Sequence, residues 1–296
     1  MAIEYKVGTG SAGTTACAFL QREISAAPAA YLKQLFKKGK VLRAALPLEA
    51  EALLGAGEII VLPESARLQE LIALSQQQPT PPVVLFENSM LLIADKPAGL
   101  AVHSSVGHET LNLTALLQQQ IDKGEKKFRI SPVQRLDLET SGACLFGKGR
   151  KALGELGKLL MERGLKKTYL ALVAGEYRGP AELVSQVRAK GKIKEAGCLV
   201  KPLAANQTAS LLEIELQSGR QHQIRQQLAQ QGCPLFGDRR YHGSCPPELP
   251  RVFLHSYKLA FHSPFGGEPI AVTAPLPDEL RDFLRQLELP LGDARF

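Results

Sequence analysis

Residues 131–142, SPVQRLDLETSG, bring a guanidinium, a carboxylate and a turn close together. Side chains alternate along a strand, so Arg135 and Asp137 would lie on one face, with Leu136 and Leu138 on the other. The next four residues, ETSG, predict a turn. This would place Asp137 at a strand end, rigidly held and open to a ligand. The alternative to a functional role is that Arg135 and Asp137 form a surface ion pair beside a turn.

A second segment, residues 217–238, has the sequence QSGRQHQIRQQLAQQGCPLFGD and predicts a helix over 218–231. His222 and Arg225 are three residues apart and would share a helix face, with Arg220 close to them. Cationic and hydrogen-bonding groups would then lie near a helix start, where backbone amides also favour an anion. The alternative is a solvated helix face.

The third segment is LKKTYLALVAGEY, residues 165–177. In a strand, Lys167, Tyr169 and Ala171 would lie on one face. A tyrosine in such a position can contact a ligand. Half-buried packing with its hydroxyl at the edge is the alternative.

The elements that must position these residues mix strand and helix patterns throughout the larger domain, which predicts an α+β domain. The spacing predicts a hairpin over 83–95, strands over 131–138, 143–147, 167–174 and 209–216, and helices over 150–163, 218–231 and from 277 onward.

A Gln- and Pro-rich stretch, SQQQPTPP, predicts a linker over 64–82. It separates a small domain over 1–63 from a larger one over 83–296. The small domain is predicted to contain two helices followed by short strands. One helix covers 31–36, and Gly39 is placed to stop it from continuing.

Composition limits the class of protein. The chain has 36 Lys and Arg against 29 Asp and Glu, a balance that favours an anionic partner. Five scattered cysteines without a C-x-x-C pair argue against a disulfide framework or a structural zinc site. No signal peptide or membrane-spanning run is visible, so we expect a cytoplasmic protein that does not bind membranes.

The three segments together resemble the motif series of the RluA family of RNA pseudouridine synthases. The resemblance is carried by R-L-D-x-x-[ST]-S-G, by K-x-Y-x-A-x-V-x-G, and by S-G-R-x-H-Q-I-R with G-C-P-L-F-G-D downstream. It extends to SMLLIADKPAGLAV at residues 89–102 and to FLHSYKLAFHSPFGGEPIAVTAPL at 253–276. It therefore covers essentially all of 83–296, and it implies an α+β catalytic domain with a mixed, mainly antiparallel sheet flanked by helices and loops.

The small domain resembles an α-L-type RNA-binding module that a small-subunit ribosomal protein shares with several RNA-modifying enzymes. The match rests on the corner KKGKV at residues 37–41 and on the later G-x-G-x-I-I. The resemblance implies a small α/β RNA-binding domain. A helical cap with solvated lysines is the alternative.

The family resemblance implies isomerisation of a uridine within RNA to pseudouridine, without cofactor or metal. Asp137 would attack the sugar or the base, or remove a ribose proton, because a carboxylate suits glycosidic-bond cleavage. Arg225 would pair with Asp137 and orient it, and Tyr169 would stack on the uracil and help remove the carbon-5 proton. We expect ribosomal RNA as the substrate, with transfer RNA as the alternative, and a monomeric enzyme.

A stacked uridine must leave its helix before it can react. Arg135 is the candidate to fill the vacated space, because a guanidinium can replace base stacking. Further cationic or polar side chains are expected to bind the RNA: Lys148, Arg150, Lys151, Arg163, Lys166, Lys167, Arg220 and His222, with Lys37, Lys38 and Lys40 in the small domain.

Two positions depart from the family pattern, since Gln134 and Gln227 stand where histidine is common. They put the RNA target in doubt more than the reaction. Two functions from other classes stay open: a non-catalytic RNA-binding or ribosome-assembly protein, and a glycosidase that uses Asp137 with Glu139. The sequence contains no phosphate-binding loop, no zinc-protease motif and no G-x-S-x-G nucleophile elbow.

Overall fold

A computed structural model describes residues 2–24, 27, 29–76, 81–104, 111–124, 128–189 and 191–290. The chain divides into two compact units. The first comprises Met1–Pro81 with His103–Leu116, and the second Pro82–Val102 with Leu117–Phe296. No helix within these described ranges is long and apolar enough to cross a bilayer.

The first unit combines a small antiparallel sheet with helices. The strands are β1 (Ala2–Lys6), β2 (Leu42–Arg43), β3 (Leu46–Pro47) and β4 (Ile59–Pro63), in the order β1-β4-β2-β3. The helices are α1 (Ala16–Glu23), α2 (Ala29–Lys37) and α3 (Ala66–Gln76). Phe19, Leu20, Leu32 and Ile60 are buried in one core. The helix predicted over 31–36 is part of α2, and Gly39 follows it with a positive φ of 62°.

Two features of this unit differ from the sequence-based expectation. The chain begins with strand β1, which pairs with β4, whereas a helix was predicted first. Helix α3 occupies much of the predicted linker over 64–82, because Leu68 and Leu71 are buried in the core of this unit.

The second unit is built on a large sheet, which has ten strands within the described part of the chain. The strands are β5 (Val83–Glu87), β6 (Leu91–Lys96), β7 (Ile130–Pro132), β8 (Ser141–Lys148), β9 (Lys166–Ala174), β10 (Glu182–Ala189), β11 (Lys192–Ala205), β12 (Ala209–Leu216), β13 (Leu254–Phe261) and β14 (Ile270–Thr273). The further helices of the chain are α4 (Leu113–Asp122), α5 (Gly149–Met161), α6 (Gln223–Gln230) and α7 (Asp278–Gln286).

The strand order is β10-β11-β12-β9-β13-β8-β6-β5, with β14 on β13 and β7 on β8. Every described pair is antiparallel except β13 with β8, where His255 faces Ser141 and Ser256 faces Gly142. Gly142 has a φ of 107°, and a Cβ there would lie 2.3 Å from the Ser256 carbonyl oxygen. Only glycine allows β8 and β13 to approach this closely.

This arrangement confirms the predicted α+β class with a mixed, mainly antiparallel sheet. The hairpin over 83–95 and the strand over 209–216 lie where the sequence predicts them. Their apolar side chains alternate or form buried runs, and each fully buried leucine stabilises the fold by about 1.5–3 kcal/mol.

The prediction of a strand over 131–138 is wrong for most of these residues. Strand β7 ends at Pro132, and residues 133–140 form a loop before β8. The R-L-D-L alternation imitates a strand, but only Leu136 is buried, whereas Leu138 is 41% exposed. The predicted helix over 218–231 is also shorter, because it begins at Gln223.

Candidate active site

The loop over 133–140 carries Asp137 to the middle of the large sheet. Hydrogen bonds hold the backbone of the loop at Asp137 and at the residue that follows it. Thr140 N donates to the Asp137 carbonyl at 3.1 Å, and Gly99 N donates to the Leu138 carbonyl at 2.9 Å. The Asp137 side chain remains 16% exposed. The carboxylate is therefore held in place and accessible, although a loop rather than a strand end presents it.

Lys96 also binds the backbone of this loop. It is fully buried, and its Nζ donates to the carbonyls of Pro97, Leu100 and Leu138 at 3.0, 2.8 and 3.0 Å. Burial lowers the pKa of Lys96 to about 7. Three carbonyl acceptors require three N–H donors, which only the ammonium form supplies, and this opposes the effect of burial.

Arg225 lies beside Asp137 but has another principal partner. Its Nη1 is 3.9 Å from Asp137 Oδ2. Its Nε and Nη2 donate to Asp238 Oδ2 and Oδ1 at 2.6 and 2.7 Å. Burial opposes the charge of Arg225, but these hydrogen bonds and the Asp238 charge outweigh it and raise the pKa of Arg225. The expected pairing of Arg225 with Asp137 is thus a looser contact alongside a bidentate ion pair.

His222 approaches Asp137 from the start of α6. It is the N-cap of that helix in a left-handed conformation with a φ of 52°, and its Nε2 lies 3.8 Å from Asp137 Oδ2. Its Nδ1 is 3.3 Å from the Tyr241 hydroxyl. Burial lowers the pKa of His222, although the Asp137 charge opposes this. At neutral pH the imidazole is therefore a hydrogen-bonding group without charge.

Tyr169 lies on β9 opposite Ser256 of β13 and is only 6% exposed. Burial raises its pKa, a hydrogen bond with Ser256 lowers it, and the charge of Asp137 raises it further. The net pKa shift is strongly upward. The phenol therefore keeps its proton through the neutral range.

A buried polar network also supports the loop. Arg251 donates to the Glu139 carbonyl at 3.1 Å, to Ser141 Oγ at 3.0 Å and to Glu279 of α7 at 2.9 Å. Ser141 Oγ also lies 2.9 Å from His255 Nδ1, and His255 Nε2 lies 3.2 Å from the Ala274 carbonyl. A carbonyl can only accept, so Nε2 carries the proton and Nδ1 accepts from Ser141.

The predicted RNA-binding residues differ in exposure, and His222, beside Asp137, is half-buried. Exposed side chains belong to Arg135, Arg150, Lys151, Arg163, Lys166 and Arg220, and in the first unit to Lys37, Lys38 and Lys40.

Two of the predicted RNA-binding lysines have side chains that are largely buried. The Lys148 side chain is 7% exposed, is paired with Glu87 and lies over the Phe128 ring at 4.6 Å. Lys167 is 7% exposed, and burial lowers its pKa. Neither ammonium is placed to meet a phosphate in solution.

The two glutamines at positions where the family often has histidine have different surroundings. Gln227 is buried and donates to the carbonyls of Leu183 and Ala196 at 3.1 and 3.0 Å. It therefore attaches α6 to β10 and β11. Gln134 donates weakly to the Ala143 carbonyl at 3.4 Å, and its buried Oε1 has no partner among the described residues.

Sequence reasoning missed several residues that build the site: Lys96, Asp238, Arg251 and His255. Lys96, Arg251 and His255 are each a charged or polar residue within an apolar stretch, and Asp238 directly follows one. That signal marks a buried group that requires partners, but it does not identify the partners. In the described ranges no group of three His, Cys, Asp or Glu side chains is arranged to hold a metal ion.

Comparison with known proteins identifies the same part of the chain. The family model described as RNA pseudouridylate synthase matches residues 90–230. The RNA pseudouridine synthase YhcT of Bacillus subtilis (strain 168) is 33% identical over 68% of this chain and 71% of its own length. Ribosomal large subunit pseudouridine synthase C of Escherichia coli (strain K12) is 29% identical over 91% of each chain. A solved human structure, RNA Pseudouridylate Synthase Domain Containing 4, is similar with a TM-score of 0.58 and 19% identity, over 71% of this chain and 95% of that one.

Proposed function

The chain belongs to the RNA pseudouridine synthase family, and we propose that it isomerises uridine in large-subunit ribosomal RNA with Asp137 as its catalytic residue. The observation that carries the proposal is the placement of Asp137. Its partly exposed carboxylate lies 3.8 Å from His222 and 3.9 Å from Arg225. The ribosomal substrate is supported by the similarity to the Escherichia coli enzyme along nearly the whole chain.

The reaction breaks the bond between the ribose and the uracil nitrogen, turns the base and joins the ribose to carbon 5. The step that needs a catalyst is cleavage of the glycosidic bond. A fixed carboxylate can form a covalent bond to the substrate or remove a ribose proton. Arg225, held by Asp238, supports the negative charge of Asp137 without being in full contact with it.

Tyr169 is assigned to the base rather than to proton removal as a phenolate. Its hydroxyl stays protonated because the side chain is buried. We assign its ring, which lies on β9 next to β13, to stack on the uracil, as the family resemblance implies. The carbon-5 proton must then leave to another group or to water.

RNA is held by exposed cations of the second unit. Arg135, two residues before Asp137, is exposed and can replace the extruded uridine in the stack. Arg150, Lys151, Arg163 and Lys166 add charge for the phosphates. Lys37, Lys38 and Lys40 of the first unit, all exposed, are proposed to form a second anchor for RNA.

The test is tritium release from carbon-5-labelled uridine in an unmodified large-subunit ribosomal RNA transcript, with transfer RNA in parallel. The intact protein is compared with Asp137→Asn and with the control Asp282→Asn, whose carboxylate is exposed on α7. We expect release by the intact protein and the control, and none by Asp137→Asn. Salt-sensitive binding of both RNAs without release would instead indicate a non-catalytic RNA-binding protein.

A further inference from the structure

A cavity of about 400 Å³ lies next to Asp137 in the second unit. It is lined by the following residues: Arg188, Gly191, Gln221, His222, Gln226, Arg240 and Tyr241. His222 lines this cavity and also lies beside Asp137. Its Nε2 is 3.8 Å from Asp137 Oδ2. A group bound in the cavity is therefore close to whatever Asp137 acts on.

Hydrogen bonds between α6 and the β10–β11 hairpin hold one wall of the cavity. Gln226 accepts from Arg188 N at 2.9 Å and donates to the Arg188 carbonyl at 3.0 Å. Gln230 donates to the Gln186 carbonyl at 2.9 Å, and Gln227 adds its bonds to the same hairpin. The backbone of Arg188 is thus positioned before any ligand arrives, which lowers the entropic cost of binding.

The charge of the cavity is positive. Arg188 and Arg240 are both exposed, and neither guanidinium forms an ion pair with a carboxylate in the described ranges. The nearby Asp238 is fully buried and is occupied by Arg225 and by the amides of Arg240 and Tyr241. Two free guanidiniums without a carboxylate in the lining favour a phosphate, which each can bind through two N–H groups.

The remaining lining suits a nucleobase. The Tyr241 ring has the Arg240 guanidinium 5.9 Å from its centroid and the His222 ring edge-on at 5.9 Å. Gln221 adds amide donors and acceptors, the groups that hydrogen-bond to base edges. A volume of about 400 Å³ falls within the usual range for a small-molecule site.

We propose that this cavity binds the nucleotide adjacent to the target uridine, with Arg188 and Arg240 on its phosphate and Tyr241 beside its base. The inference rests on the proposed function and specifies how that site holds its RNA. It adds Arg188, Arg240 and Tyr241 to the RNA-contacting residues, none of which the sequence motifs identified. It also gives the glutamines of α6 a role, because they attach the arginine-bearing hairpin to the helix that begins beside His222.

The experiment combines protein and RNA substitutions. Once the modified uridine is mapped in the ribosomal transcript, short RNAs carry a single neutral methylphosphonate on either side of it. The intact protein is compared with Arg188→Gln, Arg240→Gln and the double variant. Lys201→Gln, an exposed cation on β11 outside the cavity, is the matched control.

We expect one methylphosphonate to lower kcat/KM of the intact protein by about tenfold or more, as loss of a charged hydrogen bond does. The double variant should lose a similar factor on the all-phosphate RNA and nothing further on the methylphosphonate RNA. Its slope of log(kcat/KM) against log salt should be shallower by about 0.7 for each lost phosphate contact. Arg188→Lys and Arg240→Lys should recover part of the loss, since they keep the charge without the paired donors.

The outcomes separate the two proposals. An intact protein that releases tritium, with arginine variants that match the Lys201→Gln control, overturns the nucleotide subsite and leaves the proposed function standing. Additive losses from the arginine variants and the methylphosphonate also overturn the subsite, because the groups then act independently. An intact protein that is inactive on every RNA overturns both.

Discussion

Arg225 donates two hydrogen bonds to Asp238, of 2.6 and 2.7 Å, and this pair sets the distance of 3.9 Å between Arg225 Nη1 and Asp137 Oδ2. Asp238 is fully buried and follows Gly237, where a Cβ would lie 1.9 Å from the Arg251 carbonyl oxygen. Asp238 therefore binds Arg225 rigidly and holds it at a longer distance from Asp137, which suits the catalytic role proposed for that carboxylate.

Asp238→Asn should reduce both stability and activity. The variant leaves a buried guanidinium with a neutral partner, and breaking a buried pair in this way costs about 3–5 kcal/mol of unfolding free energy. A displaced Arg225 should lower kcat by about 100-fold. Urea unfolding and tritium release below the transition measure the two effects, with the exposed Asp278→Asn as control. Unchanged kcat in a folded variant would contradict the positioning role of Asp238.

Arg251→Met should loosen the Asp137 loop. It removes the donors to the Glu139 carbonyl and Ser141 Oγ and leaves those buried acceptors unsatisfied. We expect kcat to fall by more than about tenfold with little change in KM, because RNA contacts are unaffected. Glu279→Gln should have a small effect, since that side chain is 46% exposed. A loss confined to stability, with kcat per folded molecule retained, would assign Arg251 to the fold alone.

His255 should make stability depend on pH. Burial lowers its pKa from 6.5 to about 4 in the folded protein. Between these values the unfolded chain binds a proton that the folded chain does not, so stability falls as the pH drops from 6.5 to 4 and this contribution is constant below 4. The loss amounts to about 3 kcal/mol. It is measured as the difference between the intact protein and His255→Asn in urea unfolding across that range. Parallel pH curves for the two would contradict the shift.

Tyr169 should act through its ring. Tyr169→Phe keeps the ring and loses only the hydroxyl, so kcat/KM should fall by less than about tenfold. Tyr169→Leu removes the aromatic surface and should lower it by about 10- to 100-fold, the usual value of stacking on a base. Tritium release at several pH values distinguishes the roles. A phenolate base would instead make Tyr169→Phe as inactive as Tyr169→Leu.

Substitutions at Lys148 and Arg150 should have different effects, the first on stability and the second on RNA binding. Lys148→Gln breaks an ion pair with Glu87 and should lower the melting temperature without changing the salt dependence of RNA binding. Arg150→Gln changes an exposed residue and should reduce the salt slope by about 0.7 with an unchanged melting temperature. Filter binding at several salt concentrations and thermal unfolding are the measurements. The reverse pattern would place Lys148 at the RNA.

The sequence by itself determined the family, the three motif segments and the elements with strong periodicity. Strand β12 and helix α7 lie where their patterns predicted them, because local alternation and capping residues are sufficient to specify such elements. It also predicted Asp137, Tyr169 and Arg225 as site residues. The structure places Arg225 Nη1 3.9 Å from Asp137 Oδ2, and the charge of Asp137 acts on Tyr169.

Only the tertiary structure decided how that place is built. The loop over 133–140 is not a strand because its backbone groups bond to Lys96, Gly99 and Arg251, which lie far away in the sequence. Whether Lys148 is exposed and which carboxylate Arg225 binds also depend on the order of the strands, above all on the parallel pairing of β8 with β13. Periodicity is a property of neighbours along the chain. The burial and pairing of a charge are set by residues that only the folded chain brings together.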